Sequence, residues 1–106
     1  MTGPLVALST VATAEDAERI ARSLVEKGLA ACVNVVPGLV SFYRWQGRVE
    51  RDPEVLLVIK TRSERFEELK AALLAEHPYD LPELVAFPIA AGHQPYLEWL
   101  EASVRG

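Results

Sequence analysis

Hydrophobic residues change their spacing several times along this chain, and each change marks an element. Leu5 to Val11 is an apolar run with little alternation, which predicts a central strand covered on both faces. From Thr13 the period becomes helical. Ala17, Ile20, Ala21, Leu24 and Val25 share one stripe, Thr13 offers an N-cap oxygen with Asp16 as its reciprocal acid, and Gly28 suits the left-handed position after the last turn. The spacing thus predicts an amphipathic helix over Thr13 to Lys27, with Glu15–Arg19 and Glu18–Arg22 as ion pairs on its wet face.

Ala31 to Thr61 then reads as one long β-hairpin turning at Gln46-Gly47, where Gly47 is free to take positive φ. Pro37-Gly38 interrupts the first arm, and a bulge there would bend the arm and exchange the face that Val40 and Phe42 cover. Pro53 in the return arm belongs on an unpaired side or at a second irregularity. Arms of about 13 residues reach about 43 Å. A compact domain of this length is only about 33 Å across. The hairpin should therefore overhang, carrying Phe42, Tyr43, Trp45 and Val49 into water unless a partner covers them.

Ser63 is the expected cap of a second helix bearing Phe66, Leu69, Ala72 and Leu73 on one side and a Glu67–Lys70 pair on the other. His77-Pro78 ends it, since a residue before proline is pushed out of the helical region. A loop at Tyr79-Asp80-Leu81-Pro82 leads to a last strand over Leu84 to Ala90, placed near an edge by Pro88. Pro95 fits the first helical position of a closing helix over Tyr96 to Val104. The order βαββαβ plus a C-terminal helix, with right-handed crossovers, implies an α/β (α+β) sandwich of the ferredoxin-like kind. Both crossover helices pack on one face of its antiparallel sheet. The other face needs the last helix or a neighbouring copy, so the hairpin Ala31 to Thr61 is the expected seat of a homo-oligomer.

Composition narrows the function classes. At 106 residues the chain makes one domain, residues 1–106, and its net charge of −4 with scattered Arg and Lys argues against binding nucleic acid. One cysteine forms no internal disulfide, which suits a reducing compartment. The Met-Thr-Gly-Pro start carries no basic segment and the first apolar run is too short to span a membrane, so a cytoplasmic, membrane-free protein is expected. One Asn, two Gln and seven Pro also fit a thermostable protein.

Candidate chemistry is sparse. Cys32 follows two alanines at a strand start, has no cationic neighbour in sequence and reads as a small hydrophobe. His77 reads as an imidazole in the field of a helix C-terminus, and His93 as exposed. His77, Tyr79, Asp80 and Glu83 together could move protons, but Pro78 and Pro82 make a rigid turn the simpler reading. No glycine-rich phosphate loop is present in the sequence.

Four spaced motifs, Leu29-Ala-Ala-Cys-Val-Asn34, Tyr43-Arg-Trp-Gln-Gly47, His77-Pro-Tyr-Asp-Leu-Pro-Glu83 and Tyr96-Leu-Glu-Trp-Leu100, resemble the CutA divalent-cation-tolerance family. The resemblance implies a ferredoxin-like trimer with hairpins reaching across to neighbouring sheets, and a non-enzymatic role in tolerance of metals such as copper. It requires no cofactor; Cu or another divalent cation is the ligand it implies, held at subunit interfaces. The copper site proposed in some bacterial relatives uses a cysteine near the end of strand one and two histidines before Pro-Tyr. Here those positions hold Ser9 and Glu76-His77. The metal-ligand candidates are thus His77, Glu76 and Cys32. The alternative is a trimeric anion or nucleotide sensor resembling the PII signalling proteins, and a third reading is an acid/base enzyme working from the His77 to Glu83 loop.

Overall fold

The computed structural model describes residues 3–105, so the Met1-Thr2 start read above and Gly106 lie outside it. Its elements follow the order β1 (Pro4–Val11), α1 (Ala14–Glu26), β2 (Cys32–Trp45), β3 (Arg48–Arg62), α2 (Phe66–Glu76), β4 (Val85–Pro88) and α3 (Gln94–Ser103). The four strands form one antiparallel sheet in the order β2-β3-β1-β4, the ferredoxin-like arrangement in which β3 is inserted between β1 and β2.

Strand periodicity decides which face is covered. Leu5, Ala7, Ser9 and Val11 of β1 and Val55, Leu57 and Ile59 of β3 point to one side and are buried. Ile20 and Leu24 of α1 and Leu69 and Leu73 of α2 close the same core, so both crossover helices lie on that face. Val6, Leu8, Leu56 and Val58 occupy the opposite face and stay half-buried. The helix α3 lies against β1 and β3, with Leu100 and Val104 buried.

The ends of α1 explain why its length was legible. The Asp16 amide donates to Thr13 Oγ1 at 3.1 Å, an N-cap worth about 1 kcal/mol. At the other end Gly28 takes φ +72 while the Leu29 amide bonds the Leu24 carbonyl. Arg105 lies over this turn: a Cβ on Gly28 would stand 2.5 Å from its Nε, and its guanidinium donates to the Glu26 carbonyl at 3.0 Å.

The hairpin overhangs as its length requires. The molecule measures 44 × 25 × 23 Å, and Phe42 and Val49 near the tip are 67% and 66% exposed. Gln46 and Gly47 both take positive φ, the two-residue turn whose twist matches the arms. Register shifts between Val36 and Leu39, where Pro37 and Gly38 together oppose Val55. This bulge carries Val40 and Phe42 to the face opposite Val36, as the Pro-Gly interruption predicts. Pro53 lies just beyond the last β1 pair, Val11 with Val55, so one edge of β3 is unpaired there.

Three sequence expectations need correction. Ser63 does not cap α2: Ser63–Arg65 form a 3-10 turn before the helix and the Ser63 hydroxyl has no partner among the described residues. Arg19 pairs with Asp16 at 3.0 Å and Glu76 at 3.5 Å rather than with Glu15, and Arg22 reaches Glu26 rather than Glu18. Charges on this helix choose partners by tertiary proximity. The last strand is shorter than Leu84 to Ala90, because β1 supplies partners only for Val85–Pro88. The Glu67–Lys70 pair does form, at 3.0 Å.

Candidate functional site: a cleft beneath the hairpin

Pro78 forces His77 out of the helix with φ −74 and ψ 134, turning its ring inward until only 7% of the residue is exposed. There Nε2 donates to the Thr10 carbonyl at 2.8 Å while Nδ1 accepts the Tyr79 amide at 3.2 Å. A ring that donates from one nitrogen and accepts at the other is neutral, and both of its nitrogens are occupied. The Tyr79 phenol then donates to Glu54 at 2.7 Å. Burial, and secondly the Glu54 carboxylate, hold this phenol well above its usual range. Four residues on, the Glu83 carbonyl accepts from Ser9 Oγ at 2.7 Å and its carboxylate from Thr10 Oγ1 at 3.4 Å. The 77–83 segment is thus tied to β1 at both ends and to β3 in its middle.

Between that segment and the hairpin opens a cleft of about 610 Å³. Phe42, Tyr43 and Trp45 of β2 line it on one side, and Tyr79, Asp80 and Glu83 on the other, with Thr10 and Glu54 between them. Tyr43 donates to Asp52 at 2.5 Å, and that bond, with a smaller contribution from desolvation, pushes the phenol up to about 12. Both phenols are therefore protonated donors at neutral pH and serve poorly as bases. The His77 to Glu83 loop brings its imidazole to a structural contact and its two carboxylates to the cleft.

The metal-ligand candidates are dispersed. Glu76 accepts Ser23 Oγ at 2.6 Å and pairs with Lys27 and Arg19, joining α2 to α1. Cys32 is half-buried at the start of β2, opposite Lys60, with its sulfur 3.9 Å from Asn34 Oδ1, which also accepts from Lys60. A cation does stand beside this thiol, supplied by strand register and invisible in the linear sequence. Ser9 is buried with its hydroxyl committed to Glu83. His93 is exposed at the start of α3. Among the described residues no group of three or more His, Cys, Asp or Glu side chains converges to hold a metal ion.

Sequence reasoning nominated Tyr79, Asp80 and Glu83 but missed Glu54 and Asp52. Their signal was available: a turn at Gln46-Gly47 fixes Tyr43 opposite Glu50, with Asp52 on the same face two positions along.

The CutA1 divalent ion tolerance family matches residues 5–103. The divalent-cation tolerance protein CutA of Thermus thermophilus is 56% identical over 95 residues, which cover 90% of this chain and 92% of that protein. This chain belongs to the CutA1 family. A CutA1 structure from Thermus thermophilus is similar with a TM-score of 0.94 at 52% identity, covering 96% of this chain and 99% of that one. The PII-like protein CutA from Nostoc sp. PCC 7120, in apo form, matches with a TM-score of 0.87 at 36% identity, covering 99% and 98%. The chloroplastic CutA of Arabidopsis thaliana is 48% identical over 95% of this chain, which spans about half (56%) of that protein. Within this CutA1 chain, the Tyr43 to Gly47 and His77 to Glu83 motifs face each other across the cleft, while Tyr96 to Leu100 lies on α3. No helix among the described residues is long and apolar enough to cross a membrane.

Proposed function

We propose that this CutA1 chain acts as a cytoplasmic homotrimer of divalent-cation tolerance, working by binding and assembly rather than by catalysis. The observation that carries this reading is the overhanging hairpin, whose Phe42 and Val49 are 67% and 66% exposed beside the half-exposed Tyr43 and Trp45. Contact with neighbouring copies buries that apolar surface, at a gain of about 25 cal/mol per Å² covered. Metal sites in this reading form between copies, because threefold symmetry repeats each ligand where one chain supplies too few. Of the three candidates, Cys32 keeps a donor atom with only one weak contact, whereas His77 and Glu76 are committed to the fold.

Sedimentation equilibrium at micromolar concentration tests the assembly. Wild type is expected at three times the chain mass and Phe42→Ser/Val49→Asp at one; a monomeric wild type overturns the proposal. Titration with Cu(II) and Zn(II) tests the metal arm, with uptake by the trimer expected to fall in Cys32→Ser.

A second reading, a PII-like trimeric sensor of a small ligand, is favoured by the open cleft of about 610 Å³, a volume in the range of small-molecule sites. Saturable binding of ATP or an inorganic anion would establish the anion or nucleotide form of this reading, and its absence would remove that form.

A further inference from the structure

We draw no further inference here: the strongest candidate, the groove of about 440 Å³ between the start of α2 and β4, where Leu5, Phe66, Leu84 and Ala86 stand beside Ser63, carries nothing because it amounts to a helix N-terminus over apolar walls and nothing in the structure shows what fills it.

Discussion

The phenol of Tyr79 meets the carboxylate of Glu54 at 2.7 Å, across a sequence separation of 25 residues. That bond is the tie between the 77–83 segment and β3. In Tyr79→Phe the ring remains and the donor is lost, so a destabilisation of about 1 kcal/mol is expected. Chemical denaturation measures it. Hydrogen exchange at the amides of residues 79–83 should accelerate more than exchange in α1, showing that the loss is local.

Tyr43 offers a pH test. Its donation to Asp52 raises the folded phenol to about 12 against an ordinary value of 10.0. A folded value above the unfolded one means that the contribution to stability is complete below pH 10 and is lost as pH rises through about 12. Tyr79 is shifted in the same direction. An ultraviolet titration of phenolate should therefore show late ionisation, and Asp52→Asn should return Tyr43 toward 10.0 while Tyr79 remains raised.

Replacing His77 by Ala removes partners from the Thr10 carbonyl and the Tyr79 amide beneath a residue that is 7% exposed. The expected loss is about 2 kcal/mol, the cost of leaving buried polar groups unpaired plus a cavity. His77→Gln, which keeps a donor and an acceptor, should recover part of it. Thermal melts of the two variants compare them directly.

Gly28 and Arg105 form a testable pair. A side chain at Gly28 meets both a φ of +72 and the Arg105 Nε at 2.5 Å. Gly28→Ala should destabilise by about 1 to 2 kcal/mol. Adding Arg105→Ala should relieve the collision and leave the backbone strain. A double-mutant cycle that shows strict additivity would mean that Arg105 does not rest on this turn in solution.

Local chemistry made much of the fold legible. Thr13 and Gly28 bracket α1 because caps act within one turn, and Pro37-Gly38 announces the bulge because proline and positive φ both oppose a regular ladder. Ser63 misled because a hydroxyl near a helix start promises a cap, whereas the chain enters α2 through a 3-10 turn and Arg65, not Ser63, stands at the cap position. The cleft was half legible. Tyr79, Asp80 and Glu83 stand together in sequence, but Glu54 and Asp52 join them only through strand register, and Lys60 reaches Cys32 by the same route.

The bulge after Val36 has an evolutionary corollary. Because Pro37 and Gly38 share Val55 as their partner, excising one of them would leave Leu39 opposite Glu54 and Val40 opposite Pro53, so the outer ribbon would keep its faces and only the bend would be lost. The bulge is thereby the place where β2 absorbs a lone deletion. Elsewhere in the outer ribbon an indel should survive when matched on the opposite arm, whereas an unmatched one slips the register and reverses whatever the fingertip was shaped to meet.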